Sequence, residues 1–234
     1  MPSWILGLLA VSLAAQLAWQ AARGAPASAA SDLPPAPAAQ VLGAASFGER
    51  AAVARLAMLW LQAFDSRGDN TIAYRQLDYA RLIAWLRAIL ETDPRSGYAL
   101  FAAARVYAEV EDPARARRML EFLHAEYLKD PNGRWAPLAH AALLAKHRLN
   151  DLRLARRYAA AIARHTTDES VPLWAKQMEI FILEDMEELE AAKVMLGGLL
   201  ATGRIRDPVE RRFLEGRLQE LEQRIARERG RKKS

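Results

Sequence analysis

Four histidines are the first residues in the sequence that could do chemistry, because two imidazoles on one helix face can hold a metal ion. They are His124, His140, His147 and His165. His140 and His147 stand seven residues apart and would share a helix face, but no Asp or Glu lies between them to complete a ligand set. We therefore predict structural or surface roles for the histidines and no metal site.

The densest acidic stretch, residues 184–190, could supply paired carboxylates for acid–base catalysis. Its pattern instead predicts a turn and the start of a helix, where the helix dipole favours negative charge. No nucleophile elbow or glycine-rich phosphate loop accompanies it, since Gly197 and Gly198 fall within a helical pattern. We predict no catalytic residues and no cofactor; the alternative is an enzyme that cleaves glycans with a glutamate.

The composition narrows the class of protein further. The absence of cysteine excludes disulfides, thiolate metal sites, cysteine nucleophiles and a lipid-modified cysteine. Apolar residues make up 52% of the 234 residues, and the dominance of Ala and Leu favours helices. The net charge is +5, but the basic residues are interleaved with Asp and Glu along the sequence, so no nucleic-acid partner is expected. A cytoplasm-facing scaffold whose basic tail, residues 229–234, binds lipid or nucleic acid is a second alternative.

The amino-terminal segment predicts a location in the cell envelope. Residues 4–22 are uncharged and nearly all apolar, and as a helix they would extend roughly 30 Å, with Trp4 and Trp19 suited to the two membrane interfaces. We predict a transmembrane anchor or signal segment over residues 1–23, a Pro/Ala-rich linker over 24–46 and a body in the periplasm. Cleavage at Ala27-Ser28-Ala29 would instead leave a soluble periplasmic protein.

The rest of the chain predicts a succession of helices separated by Pro, Gly and Asp. Asp112-Pro113 and Asp207-Pro208 each place a capping acceptor before a proline at the first helical position. A loop rich in Gly, Asn and Asp interrupts the first pair at residues 65–76. The predicted helices are 47–65, 78–92, 97–110, 113–129, 134–148, 151–165, 171–184, 188–203 and 208–228.

These helices form pairs that repeat. When the second helices are aligned at their starts, equivalent positions lie 34, 39 and 37 residues apart and are Leu82, Ala116, Ala155 and Ala192. Four positions later the residues are Leu86, Leu120, Ala159 and Leu196. A small residue followed by a large one four positions later resembles the tetratricopeptide repeat. Leu82, where a small residue is usual, and Ala159, where a large one is usual, depart from this pattern. The resemblance implies an all-α, right-handed solenoid of about four helix pairs with a C-terminal capping helix, over residues 47–228. The apolar run of residues 4–22 predicts an N-terminal hydrophobic helix before it.

The resemblance also implies where a partner would bind. In tetratricopeptide arrays the first helix of each pair lines a concave groove, and large aromatic residues with a few polar groups suit the capture of a peptide or helix. The residues that would face the groove are Tyr98, Phe101, Arg105, His140, His147, Trp174, Gln177 and Phe181. We therefore expect a non-catalytic scaffold or adaptor that binds a protein of an envelope complex.

Overall fold

A computed structural model describes residues 3–22, 33–64, 77–203, 205 and 207–231. Within these residues all regular secondary structure is helical, which confirms the all-α part of the predicted fold class. A 3₁₀ turn at Tyr107–Glu109 follows the fifth helix. The α-helices of this part of the chain are α1 (Ser3–Ala22), α2 (Ala39–Ala45), α3 (Arg50–Phe64), α4 (Tyr79–Thr92), α5 (Gly97–Arg105), α6 (Pro113–Tyr127), α7 (Trp135–His147), α8 (Leu152–His165), α9 (Leu173–Asp185), α10 (Leu189–Ala201) and α11 (Pro208–Arg231).

The nine helices predicted for the body correspond to α3–α11, with two differences. The predicted helix 97–110 ends at Arg105, because Val106 leaves the helical region with φ −121° and the chain continues as the 3₁₀ turn. At the other end α11 continues to Arg231, so the tail predicted to begin at residue 229 starts inside a helix. The predicted loop 65–76 and the cleavage site at 27–29 lie outside the described residues.

Aspartate side chains define where several helices begin. Asp78 and Asp112 each accept hydrogen bonds from the backbone N–H groups two and three residues later, and Asp151 accepts one from Leu154. Asp207 likewise accepts from the N–H of Val209 at 2.8 Å. Each carboxylate satisfies donors that the first helical turn leaves free. The predicted starts at Asp112-Pro113 and Asp207-Pro208 are therefore confirmed.

The body helices alternate in their packing. We call α3, α5, α7, α9 and α11 the first helices, and α4, α6, α8 and α10 the second helices. Each second helix packs against the first helices before and after it in the chain, while α5 also contacts α3 and α7, α7 contacts α9, and α4 contacts α6. The eight positions aligned in the sequence repeat are all buried in the structure.

The buried side chains form two clusters. The larger one extends from Leu33 to Ile182 and joins α3–α9, with tyrosines as its largest fully buried members. The smaller one joins α9, α10 and α11 through residues such as Leu183, Leu196 and Leu221. Because Ile180 and Leu183 belong to the smaller cluster and Ala175 and Ile182 to the larger one, α9 contributes a face to each.

Part of the predicted linker packs on the body. Leu33 is buried, Arg81 donates a hydrogen bond to its carbonyl oxygen at 2.7 Å, and the indole N–H of Trp85 donates to the Pro34 carbonyl at 2.8 Å. The linker range also contains α2, which contacts α3 and α4. The residues from 33 onward are therefore attached to the first helix pair, which the linker prediction did not include.

The N-terminal helix α1 carries apolar side chains that are exposed to solvent. These include Trp4 and Trp19 near its two ends, with leucines and a valine between them. Among the helices that the structure describes, none combines the length and the apolar character needed to cross a bilayer.

Candidate functional site

Large apolar side chains are exposed mainly on the first helices. Within α3–α11, the second helices expose one such side chain in their described residues, Val194 on α10. The first helices expose Leu56, Leu59, Tyr98, Phe101, Leu143, Trp174, Val209 and Phe213. Since an isolated exposed apolar residue is ordinary but a series of them is not, this difference marks the first helices as a candidate binding surface.

The packing of the helices leaves one side of each middle first helix uncovered. A middle first helix such as α7 has first helices on both flanks, α5 and α9, and second helices beneath it, α6 and α8. Its remaining free side carries His140, Leu143 and His147, which follow one another at helical spacing. We call this side the first-helix face and define it by six residues: Leu59, Tyr98, Phe101, Leu143, Trp174 and Phe213.

Contacts between successive first helices run along this face. The Tyr98 hydroxyl donates to Gln62 Oε1 at 2.5 Å and joins α5 to α3. The ring centroids of Trp135 and Trp174 lie 5.6 Å apart in an edge-to-face arrangement that joins α7 to α9. These contacts hold the exposed aromatic rings at defined positions, so less conformational entropy is lost when a partner binds.

The residues predicted to bind a partner do not all lie on the free surface. Tyr98, Phe101, Arg105, His147 and Trp174 are exposed. His140 and Phe181 are half-buried and keep part of their surface accessible. Gln177 is only 4% exposed, and its amide donates to Glu210 Oε1 at 3.2 Å. Gln177 therefore attaches α11 to α9, and its predicted contact with a partner stays a prediction.

Three residues of the first-helix face were absent from the predicted set: Leu59, Leu143 and Phe213. Leu143 stands between His140 and His147 at steps of three and four, so helical spacing alone could have identified it. Leu59 and Phe213 belong to the first and last of these helices, where the repeat alignment supplied no groove position. Their exposure becomes evident only once the packing of α3 and α11 is known.

His140 is the polar group at the centre of the face. Its Nε2 lies 3.4 Å from Glu109 Oε1. Burial is the main cause that lowers the pKa of His140, and the Arg105 charge lowers it further, while Glu109 opposes both. Near neutral pH this imidazole is therefore uncharged, which keeps the centre of the face compatible with an apolar ligand.

The acidic stretch 184–190 is engaged with α11. Glu184 is buried and pairs with Arg217, Glu187 pairs with Arg224 at 3.2 Å, and Glu190 pairs with Arg229 at 2.5 Å. These carboxylates form ion pairs with guanidinium groups of α11 and hold this last helix in place. In the residues that the structure describes, no group of three or more His, Asp or Glu side chains is arranged to hold a metal ion.

Comparison with known proteins returns no match to a family model, a curated protein or a solved structure. The proposals that follow therefore depend on the packing, exposure and charge of this chain's own residues.

Proposed function

We propose that the protein is a non-catalytic scaffold that binds a protein partner through the first-helix face. The observation that carries the proposal is the exposure of Phe101 and Trp174, which are 57% and 52% accessible although the adjacent Ala102 and Ala175 are buried. Exposed aromatic side chains on a rigid support are the residues that most often dominate binding energy in protein interfaces. Burying two such rings offsets several kilocalories per mole of association cost.

The proposed architecture is a right-handed, tetratricopeptide-like solenoid of four helix pairs, α3 to α10, closed by α11. Two observations support it. Helices α3, α5, α7 and α9 contact one another in succession, and α4 contacts α6, as in stacked repeats. The repeat-aligned residues of the second helices, such as Ala116, Ala155 and Ala192, are all buried. In this arrangement the first-helix face is the concave one.

The spacing of the face favours an extended peptide segment as the partner. Packed helices lie about 8–10 Å apart, so apolar residues on successive first helices are separated by about that distance. A chain in the extended polyproline II conformation rises about 3.1 Å per residue with three residues per turn, so side chains three residues apart lie on the same side and span about 9 Å. We propose a partner segment that carries a large apolar residue at about every third position, with few charges between them.

The cell-envelope location is a separate proposal, supported by the uncharged apolar sequence of residues 4–22. It places the protein at the inner membrane with the body in the periplasm, or free in the periplasm after cleavage. A fusion of a periplasm-dependent enzyme to the C-terminus tests it, with deletion of residues 1–23 as the control. Equal reporter activity with and without this segment would contradict the proposal.

Site-specific photo-crosslinking tests the binding function directly. A photoreactive residue at Phe101 or Leu143 should form adducts with the same protein, while one at Val194, exposed on the second helix α10, should not. A Trp174→Ala change, which removes a half-exposed ring, should weaken both adducts without unfolding the chain, as checked by circular dichroism. Equal crosslinking from Val194, or none from either face position, would reject the first-helix face as the binding surface.

A further inference from the structure

A cleft lined by arginines lies on the second-helix side of the body, away from the proposed partner-binding face. It has a volume of about 570 Å³, within the range of small-ligand sites. Helix α8 supplies one wall with Arg153, Arg156, Arg157 and Arg164, and Glu179, Met186 and Glu188 supply the other. These α8 residues follow one another at steps that keep them on one helix face.

The charge of this cleft is not balanced by its own walls. Helix α8 contains four arginines and no acidic residue. Arg156 pairs with Glu179 at 3.3 Å, and Arg157 pairs with Glu121 of α6. In the described part of the chain Arg153 has no ion-pair partner, and Arg164 donates only its Nε to the Ala160 carbonyl of its own helix. The four arginines and two glutamates of the cleft give a formal charge of +2, and the pair of Arg157 with Glu121 reduces it to +1.

We propose that this cleft binds a ligand through phosphoryl groups, with Arg153 and Arg164 as the principal contacts. A phosphoryl group carries up to two negative charges and three acceptor oxygens in a small volume, which suits two arginines that have no carboxylate partner in the described residues. Guanidinium groups bind such oxygens in a planar, two-pronged geometry that lysine does not offer. The phosphoryl group can belong to a free phosphate compound or to a lipid headgroup.

Calorimetric titration of the full-length chain with inorganic pyrophosphate tests the site. The R153Q/R164Q variant should bind at least about tenfold more weakly than the wild type, since two charge-assisted contacts are lost. R87Q/R118Q is the matched control, because it also removes two arginines without ion-pair partners from the second-helix side, but at a separate cleft between α4 and α6. This control should retain wild-type affinity.

The R153K/R164K variant separates geometry from charge. It keeps both positive charges but loses the planar donors, so its affinity should lie between those of the wild type and R153Q/R164Q. Both arginines are outside the core, and unchanged thermal unfolding would show that the variants remain folded. If R153K/R164K binds pyrophosphate as weakly as R153Q/R164Q, the planar geometry of the guanidinium groups is essential, and the site is still supported. Equal affinity of all the variants for pyrophosphate overturns the proposal.

A second titration identifies the source of the phosphoryl group. Vesicles of phosphatidylcholine with phosphatidic acid are compared with vesicles of phosphatidylcholine alone, using the same variants. Binding to pyrophosphate but not to vesicles assigns a free phosphate compound, and binding to the acidic vesicles that R153Q/R164Q abolishes assigns a lipid headgroup. Absence of binding in both titrations, or equal weakening by R87Q/R118Q, overturns the proposal. Neither result affects crosslinking at the first-helix face, so the two proposals fail separately.

Discussion

Arg134 and Glu126 form an ion pair that is almost closed to solvent, with Nη1 and Oε2 2.8 Å apart and side chains only 8% and 2% exposed. The same guanidinium donates to the backbone oxygens of Glu126 and Pro94. The pair therefore joins the end of α6, the start of α7 and the turn between α4 and α5. Two buried charges are tolerated at this junction because each is neutralised and hydrogen-bonded.

Removal of one partner of this pair should destabilise the protein strongly. We expect Glu126→Ala to lower the free energy of unfolding by about 3–5 kcal/mol, because Arg134 is left as an uncompensated buried charge. Urea denaturation measures the change. Glu121→Ala is the control, since its pair with Arg157 is largely exposed and should contribute less than about 1 kcal/mol. A similar decrease in the free energy of unfolding for the two variants would show that burial of the Arg134–Glu126 pair does not increase its contribution to stability.

The pH dependence of stability should reflect the lowered pKa of His140. A histidine whose pKa is lower in the folded than in the unfolded state binds more protons when unfolded, so stability falls as the pH falls through the unfolded value of about 6.5. We expect His140→Gln to reduce this loss between about pH 7 and pH 5. Denaturation at several pH values measures it.

The matching control for this histidine lies on the same helix. His147 is exposed on α7, so His147→Gln removes an imidazole without removing a buried one. Comparison of the two variants separates the loss of a half-buried imidazole from the loss of an exposed one on the same helix. If His140→Gln leaves the wild-type slope unchanged, burial of His140 makes no contribution to the pH dependence of folding.

The segment that begins at Leu33 packs on the body, so Leu33 should contribute measurably to the free energy of unfolding. Its side chain is 1% exposed, and the neighbouring carbonyl oxygens accept hydrogen bonds from Arg81 and Trp85. We expect Leu33→Ala to cost about 2–3 kcal/mol of unfolding free energy. The exposed Pro35 provides a control on the same segment, and Pro35→Ala should change stability by less than about 0.5 kcal/mol. Equal effects would place the segment off the core.

The capping role of Asp112 can be separated from its charge. Its carboxylate accepts hydrogen bonds from the N–H groups of Ala114 and Arg115 and pairs with the Arg115 side chain at 3.2 Å. We expect Asp112→Ala to lower the unfolding free energy by about 1 kcal/mol and Asp112→Asn, which keeps the cap, by a few tenths. Thermal or urea denaturation measures both. A larger loss for Asp112→Asn would assign the effect to the ion pair instead.

The sequence predicted the body helices because their boundaries depend on local chemistry. Asp, Pro and Gly mark the ends, and the apolar positions recur at helical spacing, so α3–α11 followed from nearby residues alone. The docking of Leu33 could not be predicted in this way. An isolated leucine among prolines and alanines has no periodicity, and its pocket is formed by α4, which lies some fifty residues later in the chain.

The candidate binding residues were predictable to the extent that they depend on helix geometry. Phe101 and Trp174 were named from spacing and are exposed, whereas Gln177 was named on the same basis and is buried against Glu210. The difference arises from α11, whose position is set by contacts such as Glu184 with Arg217 across 33 residues. The arginine cleft could not be predicted for a similar reason, because the sequence does not show which arginines form ion pairs with distant carboxylates.

The buried side chains form two clusters that meet at α9, and this division affects how the protein unfolds locally. The smaller cluster depends on α10 and α11, which are held to the rest by α9 and by ion pairs at its edge. These two helices therefore form a sub-global unit that can unfold while α3–α8 stay intact. Native-state hydrogen exchange should show amides of α10 and α11 exchanging through this partial opening, with slower exchange in α6 and α8.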